Sequence, residues 1–432
     1  MTIESSQSVL PIVSVLLRSV HLLHRPAKQL YSFIAIPRKT CYYQKRKLIN
    51  EAPLQRRSKL SFYNNADILC KKGYLMSNLT RTPRNNELEI FRFFFICAIA
   101  LMHFSNSYFH SCPYFSAAYI GTEYFFLMSG YMIMKAADLG KESPFSFTFH
   151  RMKKLYPHYI TGFILLFVLT LFVSHKEIPE QFETLFGYGF ELFFLHAVGL
   201  KGSGLLNYPT WYLSSMIVSG FFLFALVRLN RKLYLTIIAP LAVLVTYSFF
   251  SANVGHLDVW GGNQLLGISD ALTRGFASLS LGALSYHLSQ YIQNRNLQLG
   301  KHLRLLLSLL ELCLLLGVLG ACFVADAHTQ YDFYFVFMMF VAITLSLSGL
   351  TDLKRVFSHP VFGFMGQISY PMYVYQLFII CLFCLLLPNL SYGSAAMVFL
   401  PTLTVFACVL YILFRYIKKC HSSHNAYNST AP

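Results

Sequence analysis

The sequence contains few charged residues for its length. Only 12% of its 432 residues are Asp, Glu, Lys or Arg, whereas 55% are hydrophobic and 16% are aromatic. A soluble protein of ordinary composition carries about twice that share of charge. One soluble core cannot bury this much apolar surface, so the composition excludes an ordinary soluble protein and predicts that lipid surrounds most of the chain.

Acidic residues are especially scarce. There are 18 Asp and Glu against 35 Lys and Arg, which gives a formal net charge of +17. In a soluble protein this would suggest nucleic-acid binding. Residues 1–75, however, hold 13 Lys and Arg and 3 Asp and Glu, so +10 of the charge precedes the apolar segments. We therefore predict no nucleic-acid partner.

The two ends of the chain differ from its middle. Residues 1–84 form a basic leader whose one apolar stretch is interrupted by Arg18 and is too short to span a bilayer. Met76 opens a stretch typical of a natural start, so we expect residues 1–84 to be a disordered leader or a start-site artefact. We expect residues 421–432 to be a cytoplasmic tail.

Ten hydrophobic segments predict an all-α, polytopic membrane protein with about ten transmembrane helices. The segments are 91–109, 117–137, 155–175, 209–228, 233–250, 271–291, 303–325, 331–350, 360–387 and 396–417. Residues 182–200 predict a re-entrant or interfacial helix. Nineteen basic residues fall near one face and three near the other, which places both ends in the cytoplasm by the positive-inside rule.

Other classes of site lack support in the sequence. Six of the ten cysteines lie in apolar runs, where cysteine usually packs as a small hydrophobe. The CLFC pair, Cys381 and Cys384, has the spacing of a redox or zinc motif, but nothing around it resembles one. We predict no metal site and no permanently bound cofactor. No inverted repeat or soluble catalytic domain is visible.

Two polar residues flank the apolar stretch RFFFICAIALMH. Arg92 and His103 are eleven residues apart, which on a helix is three turns plus about 20° and a rise of about 16 Å. They therefore share one helix face, with Arg92 near the inner headgroups and His103 beyond the membrane midpoint. A snorkelling arginine and a histidine bonded to a neighbouring helix would explain them without any function. An ionisable group inside a membrane is nevertheless a functional candidate.

Glu123 lies at a matching depth in the next segment, six residues from its outer end. A buried carboxylate needs a partner. We expect His103 to be that partner, because a carboxylate can orient an imidazole and raise its basicity. Tyr124 and Ser129 are the alternatives.

Further polar residues stand at the ends of later segments. Arg151 and Lys154 precede the third segment, at what we predict to be a helix start, and either anchor the inner face or bind a phosphate-rich ligand. Trp211 is either part of an interfacial aromatic belt or a site residue. Arg274 predicts a salt bridge to Asp270 or Glu191, or a sugar contact. Ser369 and Tyr370 are polar positions within a lipid-buried stretch.

Five motifs carry a resemblance to a known family. They are RFFFICAIALMH, GTEYFFLMSGYMI, RMKKLYP, PTWYLSS and ISYPMYVYQ, and they extend over about residues 85–417. In this order they resemble the integral membrane acyltransferase family 3, whose members move acetyl or other acyl groups onto carbohydrate and lipid acceptors. Five ordered motifs carry more weight than any single one.

The resemblance implies a role for each site residue. It implies that His103 is the catalytic histidine, that Glu123 occupies the family's acidic position, and that Arg92, Arg151 and Lys154 serve acyl-CoA. We expect Trp211, Arg274, Ser369 and Tyr370 to contact substrate. The sequence departs from the family's usual pattern at Lys154, Met216 and Gln376, which stand where an Arg, a Glu and a His are common. The last two departures concern the acceptor side.

The expected function is transfer of an acyl group, most simply acetyl, from acyl-CoA to a hydroxyl of a cell-surface or lipid-linked carbohydrate. Acetyl-CoA would be a co-substrate, membrane lipids would surround the protein, and the cell (inner or plasma) membrane would be its location. The alternative is a proton-coupled transporter or flippase of lipid-linked sugars, with His103 and Glu123 as a proton relay. That alternative predicts paired repeats and broken helices, which the sequence does not show clearly.

Overall fold

The computed structural model describes residues 85–111, 114–174, 186–200, 205–261, 264–265 and 267–430. Ten long helices account for most of these residues. They are α1 (Asn86–Phe109), α2 (Gly121–Leu139), α3 (Pro144–Ser174), α4 (Trp211–Leu233), α5 (Ala239–Asn253), α6 (Asp270–Asn294), α7 (Lys301–Val324), α8 (Tyr331–Ser348), α9 (Pro360–Leu386) and α10 (Tyr392–Thr430). The predicted leader, residues 1–84, lies outside the described residues.

The predicted fold class is confirmed. Each predicted hydrophobic segment falls on one of the ten helices, and the described strands form only a hairpin of Gln264–Leu265 with Ile268–Ser269. By length and composition, seven described helical stretches can cross a membrane. One of these, Tyr208–Asn253, contains both α4 and α5, whereas α2 and α6 are not among the seven. The number of crossings and the cytoplasmic position of both ends stay predictions.

Two expected elements differ from the structure. Helix α3 begins at Pro144, eleven residues before the predicted start at 155. The expected interfacial helix is one described turn, Gly189–Leu192. Helix α10 continues to Thr430, so the described part of the predicted tail is helical, and its cytoplasmic position stays a prediction.

Helix α4 contains a sharp backbone break near its end, shortly before α5 begins. Asn230 has φ −153° and ψ 92°, which no helical residue adopts. The backbone then forms one π-helical stretch, Tyr234–Ile238, before α5. Basic residues surround the break, which is typical of a turn at an inner membrane face. The break allows α5 to return the chain to the end of the molecule from which α4 starts.

Helices α2 and α6 form the most closely packed pair at the centre. A Cβ on Gly130 would lie 2.0 Å from the carbonyl oxygen of Leu279, and one on Gly282 would lie 2.1 Å from that of Leu127. Only glycine permits backbones to approach this closely. The buried face of α6 is accordingly rich in Ala, Ser and Gly. Because α6 packs against other helices and not against lipid, its sequence is too polar to resemble a lipid-facing span.

The outer helices have the opposite character. Helix α7 has a mean hydropathy of 2.4 over its most apolar window. Its exposed leucines include Leu305, Leu306, Leu309 and Leu316. Leucine rows of this kind face hydrocarbon in membrane proteins. The peripheral helices therefore provide the lipid contact, and the central helices carry the polar groups.

Candidate active site

A cavity of about 300 Å³ lies at the Phe109 end of α1, which is the predicted outer face. This volume is at the lower end of the range for small-ligand pockets. The residues that line it include His103, Tyr208, Trp211, Asp258, Trp260 and His328. We call this region the outer end of the site.

His103 is held by a tyrosine that the sequence did not single out. The Nδ1 of His103 lies 3.2 Å from the hydroxyl of Tyr208, and the two rings meet edge to face. Which group donates in this contact depends on the tautomer of His103. In the tautomer with the proton on Nδ1, the Tyr208 oxygen accepts a hydrogen bond from Nδ1–H of His103. This arrangement leaves Nε2 as the unprotonated nitrogen, which a general base requires.

Glu123 has a different partner from the one expected. Its Oε1 accepts a hydrogen bond from Nε of Arg274 at 2.7 Å, and both side chains are fully buried. The structure therefore gives His103 and Glu123 separate partners, and it pairs Arg274 with neither Asp270 nor Glu191. Removing one member of such a pair would leave a buried, uncompensated charge. The catalytic role of Glu123 stays a prediction.

The same arginine organises the wall of the cavity. Its guanidinium lies 5.1 Å from the ring centre of Trp211, and its Nη1 donates to the carbonyl oxygen of Val259 at 3.2 Å. Arg274 is fully buried, and its contacts with Trp211 and Val259 hold the cavity wall in place. Its predicted contact with substrate stays a prediction.

A buried carboxylate fixes the loop that carries Tyr208. Glu191 accepts hydrogen bonds from the backbone N–H groups of Leu206 at 2.7 Å and Asn207 at 3.1 Å. The side-chain amide of Asn207 donates to the carbonyl oxygen of Val374 in α9. Burial raises the pKa of Glu191 to about 7, and the two backbone N–H groups oppose that rise. The residue before Tyr208 is thus attached to two other parts of the fold.

The opposite half of the site contains cations, and we call it the inner end. Nη2 of Arg151 donates to the sulfur of Met216 at 2.8 Å, and Ser129 and Tyr212 also approach that sulfur. A thioether is a weak acceptor. Arg92 is close enough to repel Arg151 electrostatically.

The remaining predicted donor residues lie at this same end. Arg92 forms a partly exposed ion pair with Glu89 at 3.2 Å. Lys154 is exposed, one turn beyond Arg151. Because α3 begins at Pro144, both Arg151 and Lys154 lie within the helix, and the prediction that they mark its start was wrong. Their role in binding a donor stays a prediction.

Ser369 and Tyr370 make local contacts in the structure. The Ser369 hydroxyl donates to the carbonyl oxygen of Gly366 at 2.7 Å, one turn earlier in α9. The Tyr370 hydroxyl donates to the carbonyl oxygen of Leu155 at 2.8 Å, which joins α9 to α3. Their predicted contact with substrate stays a prediction.

Of the six cavity residues named above, four were absent from the expected set: Tyr208, Asp258, Trp260 and His328. One signal could have found Trp260, because the whole chain has only two tryptophans and both line the cavity. Asp258 and His328 come from loops far apart in the sequence. Hydropathy does not indicate where such loops meet.

Comparison with family models gives one result for this chain. The model described as an acyltransferase domain, that of acyltransferase family 3, matches residues 85–417. This match covers more than half of the chain and includes every predicted site residue. This match, on a fold of apolar helices, identifies a membrane acyltransferase. The chain belongs to acyltransferase family 3, as the ordered motifs indicated. Comparisons with curated proteins and with solved structures gave no match.

Proposed function

We propose that this acyltransferase moves an acyl group, most simply acetyl, from acyl-CoA to a hydroxyl of a cell-surface or lipid-linked carbohydrate at the cell membrane. One observation carries the proposal. His103 lines a cavity towards one end of α1, and the cations Arg92 and Arg151 lie near each other at the other end of that helix. A histidine base between a cationic end and a small cavity suits a reaction with one anionic and one neutral substrate.

His103 would act as the general base. Its Nε2 takes the proton of the acceptor hydroxyl while the hydroxyl oxygen bonds to the thioester carbonyl carbon. The carbon–sulfur bond then breaks, and the coenzyme leaves as a thiolate that takes the proton from the imidazolium. General base catalysis of this kind typically contributes about 10²–10⁴-fold to a rate. The bond to Tyr208 would keep the ring in the tautomer that this step needs.

The cations would hold the donor. Coenzyme A is polyanionic, and guanidinium groups bind phosphates with charge-assisted hydrogen bonds. Arg151 faces a weak acceptor, so its charge is largely available to a ligand. The eleven residues from Arg92 to His103 rise about 16 Å along α1, a distance that the extended arm of the coenzyme must cover. The thioester would then reach His103 with its phosphates still at the inner end.

The test is transfer of label from acetyl-CoA to glycans in membranes that contain the full-length protein. We expect His103→Ala to lower the transfer rate by at least about 10²-fold. His158→Ala is the matched control, because His158 is another helix-borne histidine bonded to a tyrosine hydroxyl, 2.9 Å from Tyr375. Transfer should continue in that variant. Equal transfer by wild type and His103→Ala would contradict the proposal, and movement of a glycan lipid without acylation would favour the transporter.

A further inference from the structure

A carboxylate and an imidazole form a pair at the rim of the outer end. Oδ2 of Asp258 lies 3.0 Å from Nε2 of His328, and both residues line the cavity. The Asp258 side chain keeps 29% of its surface exposed and that of His328 keeps 53%. Asp258 is also within electrostatic range of His103. A ligand that reaches His103 therefore passes a carboxylate.

A buried carboxylate holds the two loops that carry Asp258 and His328. Asp332 is fully buried, and its Oδ2 accepts hydrogen bonds from the Tyr119 hydroxyl at 2.9 Å and from the backbone N–H of Leu257 at 2.8 Å. The Tyr119 oxygen in turn accepts from the backbone N–H of His328 at 2.7 Å. One buried carboxylate thus sets the relative positions of two loops. Such preorganisation is typical of a binding site.

The aromatic part of the cavity comes from two tryptophans. Trp260 follows Asp258 by two residues and is 43% exposed, whereas Trp211 is mostly buried. Indole rings provide a flat apolar surface for the C–H faces of a ligand, and nearby carboxylates accept hydrogen bonds from its hydroxyls. An aromatic surface beside a hydrogen-bond acceptor suits a polyhydroxylated ring.

The charges at the rim favour a neutral ring over an anionic one. The carboxylate of Asp258 repels another anion, and the nearest buried cation, Arg274, is already neutralised by Glu123. The ring of His256 lies beside that of His328, with ring centres 4.4 Å apart and the ring planes tilted by 44°. Burial lowers the pKa of His256, and the neighbouring His328 lowers it further. The rim therefore has little positive charge to offer an anion.

We propose that Asp258, His328 and Trp260 form the acceptor subsite, which selects a neutral sugar and excludes an acidic one. In this subsite Asp258 accepts hydrogen bonds from sugar hydroxyls, and Trp260 packs against the ring. The inference rests on the proposed function, because it names the acceptor class of the same cavity. It adds a specificity determinant that none of the five motifs includes.

Tryptophan fluorescence provides a direct test, since both tryptophans of the chain line the cavity. Purified full-length protein in detergent is titrated with methyl glycosides of glucose, galactose and mannose, and with the methyl glycosides of the matching uronic acids. We expect at least one neutral glycoside to change the emission saturably and to bind about tenfold tighter than its acid. Asp258→Asn should weaken neutral binding by about tenfold, the effect of losing a charge-assisted hydrogen bond. It should also abolish the preference over the acid.

The control is Asp326→Asn, which makes the same charge change at an exposed residue near His328. It should leave affinity and preference unchanged. Trp260→Phe should weaken binding, with Trp211 still present as the reporter. The subsite is ruled out if no glycoside changes the emission at up to about 0.1 M, a concentration that fills even weak sites. It is also ruled out if Asp258→Asn and Asp326→Asn behave alike.

The two proposals fail in different ways. Loss of acetyl transfer in His103→Ala, without glycoside binding in the fluorescence titration, would overturn the subsite and leave the transferase intact. Selective binding of a neutral glycoside, without any transfer from acetyl-CoA, would overturn the transferase and leave the subsite intact.

Discussion

The two ends of the site differ in how their charged and polar side chains are paired. At the outer end the polar groups are tied to buried partners: Tyr208 contacts His103, and Arg274 bonds to Glu123 and to the loop beside Asp258. At the inner end Arg151 faces a sulfur, and Arg92 has only a partly exposed carboxylate. At the outer end the charged side chains are paired with one another, whereas the inner end holds excess positive charge.

This difference indicates which substrate each end suits. A half-buried cation such as Arg151, which faces only a weak acceptor, gains from a ligand that neutralises it, so the inner end suits a polyanionic donor. A neutral, preorganised cavity costs little to keep open and offers fixed hydrogen-bond partners to a neutral acceptor. This assignment can be tested by changing the charge at either end and measuring which substrate binds more weakly.

The largest expected effect comes from separating Glu123 from Arg274. Glu123→Ala leaves a guanidinium unpaired in the interior, and we expect the free energy of unfolding to fall by about 3–5 kcal/mol. The measurement is thermal unfolding in detergent, followed by the fraction of protein that elutes as a monodisperse peak. Trp211 rests on this guanidinium, so tryptophan emission should also change.

The double variant Glu123→Gln with Arg274→Met is the matched control. It removes both charges and keeps similar volumes, so it should be less destabilised than Glu123→Ala alone. Losses that simply add in the double variant would show that the two side chains are not coupled.

The fold was readable from the sequence because each apolar run specifies a helix, whatever its neighbours are. The start of α3 was missed since its first eleven residues, from Pro144, include polar and basic residues that hydropathy assigns to a loop. Helix partners were harder to predict. Glu123 and Arg274 are 151 positions apart, and the rotation that joins them depends on the close contact at Gly130 and Gly282. No single-helix pattern contains that information.

The second effect concerns the inner end. Arg151→Ala should raise the apparent KM for acetyl-CoA by about 10-fold to 100-fold, the range of one or two charge-assisted hydrogen bonds, and leave acceptor affinity unchanged. The measurement is initial transfer rate against donor concentration in membranes of equal protein content. Lys153→Ala removes the same charge from an exposed position of the same helix and should have little effect.

A uniform loss with both substrates in Arg151→Ala would mean that this arginine supports the fold instead of the donor. The two ends could then no longer be assigned by charge. Arg151→Ala should alter affinity for the donor only, and Asp258→Asn should alter affinity for the acceptor only. The two variants together therefore separate the two ends of the site.

Met216→Leu should have the smallest effect, and it tests whether the sulfur of Met216 positions Arg151. The sulfur of Met216 contacts Arg151, Ser129 and Tyr212, so leucine removes three weak contacts while nearly conserving volume. Volume-conserving hydrophobic changes usually cost less than about 1.5 kcal/mol. If the donor is the true partner of Arg151, the KM for acetyl-CoA should stay within about twofold of wild type, since the thioether contributes little to holding the guanidinium. The measurement is the initial transfer rate against acetyl-CoA concentration, for wild type and Met216→Leu side by side. A donor KM that rises as far as in Arg151→Ala would show that the sulfur itself positions the arginine, and that the inner end is preorganised like the outer one.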